Sequence, residues 1–331
     1  MSGESSFVGR DGAGRVLTTG LYVPGDRPDR FGKAVATGAE LIILDLEDAV
    51  APAAKARARA AVVAWLRDGG GDGEAGGGDG GVVGGGGEGG ADARGARADG
   101  PVLQVRVNEG NDDDLVALAV LATTEPAGTA ACAFEVRLPK VESTVQLDRV
   151  GELLPGVPVT ALIESAQGVE RAAELAAHPI VTRLALGESD LASELGTRAP
   201  AVMEYARLRL LFAALAAGLP APMLSAYPAI ADLEGLRADT ARGRELGWWG
   251  RVAIHPSQLP VIAEVFAPSA DELRWARDVL AAVGDGGVAT LANGDMVDAA
   301  MLPRARAILA RSAGRSGGVG AGRPADLPPT G

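Results

Sequence analysis

Eight short apolar runs alternate with helix-patterned stretches along this chain, and seven of the eight end in ionisable residues. The runs are Val16 to Pro24 ("VLTTGLYVP") and those starting at Glu40 ("ELIILDLE"), Pro101 ("PVLQVRVN"), Ala133 ("AFEVRLPKV"), Pro158 ("PVTALIES"), Thr182 ("TRLALGESD"), Ala221 ("APMLSAY") and Arg251 ("RVAIHP"). Stretches with helical spacing lie between them, such as "PAAKARARAAVVAWL" and "PAVMEYARLRLLFAALAAG". Several of these open at a proline and stop at a glycine, the asymmetry that helix ends prefer. Eight strands each followed by a helix is the count of an α/β (β/α)8 TIM barrel. The rival is a doubly wound open sheet. That fold asks for a glycine-rich phosphate loop directly after an early strand, whereas the glycine-rich stretch here follows a helix.

In a barrel the strands' C-terminal ends share one mouth. The first run ends in "VPGDRPDR", the second in Glu47 and Asp48, and the third in Arg106 and Asn108. The fourth ends in Lys140 and Glu142, the fifth in Glu164, the sixth in Glu188 and Asp190, and the eighth in His255. The charge after "LIIL" is therefore expected where a strand leaves the core for a polar mouth. Such a mouth has many carboxylates, few bases and no cysteine, which disfavours thiolate zinc and Cys–His chemistry. Oxygen-only ligation suits a hard ion, and Mg2+ takes one or two carboxylates with waters and substrate oxygens. Glu164 and Asp190, on adjacent strands, are the expected metal pair. Arg106 would hold a substrate carboxylate or enolate oxygen through its planar fork. A structural ion pair with Glu47 is the lesser alternative for it, and Asp45 could be a strand-end turn former. Lys140 and Glu142 could pair with each other, and His255 is expected to be a structural hydrogen-bonding residue.

Composition bounds the partners. A formal net charge of −12 makes a nucleic-acid groove or an anionic membrane surface unlikely as a partner. An anionic ligand would need a local basic cluster, and Arg27, Arg30 and Lys33 recur at three-residue spacing after the first run, with Pro28 marking a helix start. The lone Cys132 leaves no internal disulfide and fits a reducing cytosol. No apolar run approaches membrane-span length, so a cytoplasmic location is expected. Residues 69–100 hold 17 glycines in 32 positions, too little apolar surface to offset ordering entropy. They are expected to form a flexible insertion. The expected layout is a disordered start (1–14), a barrel (15–285) carrying that insertion, a C-terminal helical cap (286–311) and a disordered tail (312–331).

The stretches "LYVPGDRPDRFGKAVATGAELIILDLEDAV", "VRVNEG", "LPKVES", "ALIESAQGV", "LALGESDLASELG", "GRVAIHPSQLPVIAEVF" and "NGDMVDAAML" occur in this order. Together they resemble the HpcH/HpaI aldolase/citrate lyase superfamily, in its citrate lyase beta-subunit-like and malyl-CoA lyase-like branch. The resemblance implies a TIM barrel, in homotrimers or homohexamers, that makes or breaks a carbon–carbon bond in 3-hydroxyacyl-CoA thioesters. Citryl-, malyl- or citramalyl-CoA would yield an acyl-CoA and a 2-oxoacid. A malyl-CoA thioesterase, a malate-synthase-like activity or a CoA-independent pyruvate aldolase are the alternatives. It implies Mg2+ on Glu164 and Asp190, oxoacid orientation by Arg106, and Glu47 and Asp48 around the metal waters. It implies an acid/base role for Asp298, acting at a neighbouring subunit's site. The basic face of Arg27, Arg30 and Lys33 would receive the CoA phosphates, and whether further citrate lyase complex subunits take part stays open. The chain departs from the family pattern at Asp295, usually basic, at Ala300, commonly proline, and at Ser225, commonly aspartate.

Overall fold

The computed structural model describes residues 17–70, 100–123, 133–283 and 287–313. Most of the expected insertion, Cys132, the expected disordered start and nearly all of the tail lie outside the described residues.

Seven strands form one parallel sheet: β1 (Thr19–Pro24), β2 (Leu41–Asp45), β3 (Val102–Arg106), β4 (Glu135–Leu138), β5 (Val159–Ile163), β6 (Val181–Leu186) and β7 (Arg251–Ala253). Their order, β6-β5-β4-β3-β2-β1-β7, is the cyclic order of a (β/α)8 barrel. Between them run α1 (Phe31–Val35), α2 (Lys55–Arg67), α3 (Asp112–Thr123), α4 (Thr144–Leu153), α5 (Ala166–Glu170), α6 (Ala172–Ala176), α7 (Glu188–Leu195), α8 (Pro200–Ala216) and α9 (Leu233–Glu245), and α10 (Leu259–Phe266) follows β7.

One expected strand is corrected. The run from Ala221 makes a single parallel bridge, Leu224 with Arg251, instead of a ladder. Pro220, Pro222 and Pro228 punctuate the segment, and proline has no N–H to give a ladder. The seventh stave is thus one residue long. Helix α1 is also shorter than its pattern suggested, because a one-turn 3-10 helix (Pro28–Arg30) takes the first turn.

Alternation sorts the strand side chains into two sets. Leu21, Val23, Ile42, Leu44, Leu103, Val105, Val136, Val159, Ala161 and Ile163 join the large cluster against the helices. Leu41, Ile43 and Val252 pack inside with Tyr22, Val102 and Met223.

The chain divides into two compact units after Phe266. The second holds α11 (Ala270–Val283), the antiparallel pair β8 (Val288–Thr290) and β9 (Met296–Asp298), and α12 (Leu302–Ala313). Ala276, Val279, Val283, Val297, Ala305 and Ile308 form its core.

Candidate active site

The β2–β3 register puts Asp45 beside Arg106, and parallel neighbours in register face the same side of the sheet. Arg106 clasps Asp45 through both ends of its fork, Nε to Oδ1 at 2.7 Å and Nη2 to Oδ2 at 2.6 Å. Asp45 also accepts the Glu47 N–H at 2.9 Å and the Ala49 N–H at 3.2 Å. It is therefore both the turn former and the arginine's anchor. The third nitrogen of Arg106, Nη1, is left for Glu47 Oε2 at 3.1 Å and Asp48 Oδ2 at 2.9 Å. The Tyr22 ring lies 5.2 Å from the guanidinium carbon. Burial opposes the Arg106 charge, but the hydrogen bonds and charge of Asp45 outweigh it and hold the proton more firmly than in water. An arginine fixed on two nitrogens with the third turned to other carboxylates can exchange those for a substrate oxygen.

Glu164 follows β5 and is 4% exposed. Its Oε1 accepts the Lys140 N–H at 3.0 Å. Burial, then the Asp190 charge, push the Glu164 carboxyl up to about 8; the Lys140 N–H and the Arg106 charge pull the other way. Asp190 sits in the first turn of α7. A Cβ on Gly187 would lie 2.2 Å from Glu164 Oε2, so the glycine leaves the room the carboxylate occupies. Glu47 is raised to about 7, chiefly by burial, with Arg106 opposing and Asp48 adding to the rise. Two carboxyl groups that resist ionisation beside further negative charge form the electrostatic setting that a divalent cation relieves.

Among the described residues no group of three or more His, Cys, Asp and Glu side chains could by itself hold a metal ion. Two carboxylates with water and substrate oxygens fit the Mg2+ octahedron without a third.

Several neighbours were not singled out as site residues in the sequence. Lys140 has φ +47°, the sole non-glycine residue in the left-handed region among those described. That costs about 1–2 kcal/mol, and such strain collects at functional sites. The turn aims its N–H at Glu164. Its side chain pairs with Glu109 at 3.0 Å, not with Glu142 as considered from sequence. Lys55, at the start of α2, donates to the carbonyls of Leu46 (3.1 Å) and Glu47 (2.9 Å) and to Asn108 Oδ1. It ties the ends of β2 and β3 together. A strand-end lysine was visible in "LPKV"; its backbone twist was not.

The remaining candidates separate. Glu188 is held by Arg207 (2.8 and 2.9 Å) rather than facing a ligand. His255 caps a 3-10 turn by accepting the Ser257 N–H, the structural role expected. Arg27, Arg30 and Lys33 are exposed, with Arg27 bound to Asp29 at 3.0 Å. Asp298 lies in the second unit, where its carboxylate accepts the Ala300 N–H at 2.9 Å.

The sequence profile of the HpcH/HpaI aldolase/citrate lyase family matches residues 18–69 and 101–256. A (3S)-malyl-CoA thioesterase of Cereibacter sphaeroides (strain ATCC 17029) is 35% identical over 308 residues, 88% of this chain and 93% of that protein. A citrate lyase subunit beta-like protein of Mycobacterium tuberculosis (strain H37Rv) is 38% identical over 300 residues, covering 88% of this chain and 94% of that protein. The crystal structure of Mycobacterium tuberculosis CitE in complex with magnesium, acetoacetate and coenzyme A aligns with a TM-score of 0.66. The identity there is 33%, over 90% of this chain and 98% of the other.

Proposed function

The chain belongs to the HpcH/HpaI aldolase/citrate lyase family, and from that premise we propose a Mg2+-dependent carbon–carbon lyase acting on a 3-hydroxyacyl-CoA thioester. The observation that carries the proposal is the buried Glu164 carboxyl, pushed to about 8 by burial and by Asp190, in the same field as Arg106. Glu164 and Asp190 would hold the ion. Bound there, Mg2+ supplies a Lewis acid and a template for the carboxylate and hydroxyl oxygens of the acid portion.

The protein's own groups divide the remaining work. Arg106, fixed by Asp45, offers Nη1 to the oxoacid end and offsets the negative charge that develops as the bond breaks. Glu47 and Asp48 flank that nitrogen and would orient water and substrate around it. The substrate hydroxyl would pass its proton to a carboxylate beside Arg106 Nη1, Glu47 or Asp48, the carbon–carbon bond opens to the 2-oxoacid, and the acyl-CoA enolate takes a proton at its α-carbon. Asp298 of a neighbouring copy in a homotrimer or homohexamer is assigned to that proton. Its exposure in the second unit leaves it accessible for such a role. The exposed Arg27, Arg30 and Lys33 would receive the CoA phosphates. No described helix is long and apolar enough to cross a membrane, in line with the proposed cytoplasmic location.

A second outcome has its own support. A relative that matches 88% of this chain at 35% identity is a (3S)-malyl-CoA thioesterase, and the same site could direct water at the thioester carbonyl. Incubation with Mg2+ and citryl-, malyl-, methylmalyl- and citramalyl-CoA, with both products identified, separates the two. An acyl-CoA plus a 2-oxoacid is the expected outcome. Free CoA with the intact hydroxyacid would overturn lyase in favour of thioesterase, and no turnover of any thioester would overturn both.

A further inference from the structure

Below Arg106, toward the N-terminal ends of the strands, the barrel holds charge that the proposed reaction does not use. Gln104, Arg137, Thr160 and Arg183 line one small cavity there together with Leu41 and Met223. Gln104 Nε2 donates to Glu135 Oε2 (2.7 Å) and Thr160 Oγ1 (2.8 Å), and Arg137 Nη1 donates to Gln104 Oε1 (3.1 Å). Arg183 Nε is 3.6 Å from Glu135 Oε2. Glu135 thus pairs with Arg183 and leaves Arg137 with the neutral amide.

Arg137 is the uncompensated one. It is 4% exposed, and among the described residues no carboxylate pairs with it. Its Nε is buried without a hydrogen-bond partner, as is that of Arg183. A neutral amide oxygen and the Tyr22 ring, 5.6 Å away, are what meet its charge. A buried cation without a counter-charge is costly, so the arrangement favours an anion supplied from solution.

The space sets the size of that anion. The cavity measures about 20 Å³, and one water needs roughly 10–15 Å³ by the same measure. A single monatomic ion fits, whereas a tetrahedral oxyanion does not. We propose that this cavity is a binding site for a halide-sized monovalent anion, held by Arg137 and Arg183 with Gln104 and Thr160 at its wall. The Tyr22 ring stands against both Arg137 and Arg106, so filling the site offsets one of two like charges that share an aromatic neighbour.

Crystals grown in sodium bromide, measured at the bromine absorption edge, give the direct test. The thermal midpoint in chloride against gluconate at equal ionic strength gives the solution test. The expected results are an anomalous peak in the cavity beside Arg137 and a higher midpoint in chloride. Arg137→Met and Arg183→Gln, two variants in case one fails to fold, should each lose the chloride-dependent shift. A water in place of the peak overturns the proposal, as does a shift that persists in a folded variant. A peak without a chloride-dependent midpoint marks an adventitious ion only, and overturns it equally.

Discussion

Replacing Asp45 with asparagine tests whether the site arginine is set by this aspartate or only accompanied by it. The side chains involved are 9% and 2% exposed, and two of three guanidinium nitrogens end on Asp45. Breaking a buried pair by removing one charge costs about 3–5 kcal/mol. Asparagine keeps one oxygen for Arg106 or the Glu47 N–H, and Glu47 and Asp48 still face Nη1. The loss should therefore fall at or below the low end, roughly 2–3 kcal/mol. For a unit of this size that lowers the thermal midpoint by roughly 5–10 °C. Freed from its fork, Arg106 swings toward Glu47 and Asp48. A misplacement on the order of 1 Å is enough for about a hundredfold loss in kcat/KM. Calorimetry and steady-state kinetics on the same preparation read both numbers. A midpoint within 1–2 °C of wild type and kcat/KM within about twofold would refute the claim that Asp45 fixes the arginine.

Three further outcomes follow from the geometry. Glu164 and Glu47 ionise near 8 and 7 in the folded chain against an ordinary 4.5, so without metal the fold holds extra protons over that window and its stability should fall as pH rises from 4.5 toward 8. Mg2+ competes with those protons, so its affinity should tighten by up to about tenfold per pH unit over the same range; midpoints measured in EDTA and in Mg2+ that stay parallel across pH would contradict this. Gly187→Ala puts a Cβ 2.2 Å from Glu164 Oε2 and should weaken Mg2+ binding by at least about tenfold while circular dichroism stays native; unchanged affinity would show that Glu164 does not need that space. Lys140→Gly keeps the left-handed turn and its N–H to Glu164, whereas the β-branched side chain of Lys140→Val resists that conformation beyond what the lysine already bears, so Mg2+ affinity should survive the first change and drop in the second, and equal effects of the two would assign the role to the lysine side chain.

The parts of the fold visible in the sequence were those encoded by local pattern. The strand order and the carboxylates at strand ends followed from apolar runs closing in charge, and Glu164, Asp190, Arg106 and Glu47 do share one electrostatic neighbourhood. The run at Ala221 has the apolar residues of a stave, but the prolines around it hold it to a single bridge. Lys140 could not be found from type, since nothing in "LPKV" encodes φ +47°. Asp45 was ambiguous because its second role depends on the neighbouring strand's register, a long-range fact. Nothing local in the sequence marks Arg137 and Arg183, because an unbalanced charge shows itself only in the spatial pairing of partners.

Calorimetric titration of Mg2+ into the wild-type chain, Glu164→Gln and Asp190→Asn, each checked for native circular dichroism, decides whether these two carboxylates hold the ion. A single Mg2+ per chain is expected in the wild type, with an affinity loss of about a hundredfold or more in each variant, as deletion of one of two protein ligands implies. Wild-type affinity retained by either folded variant would contradict it.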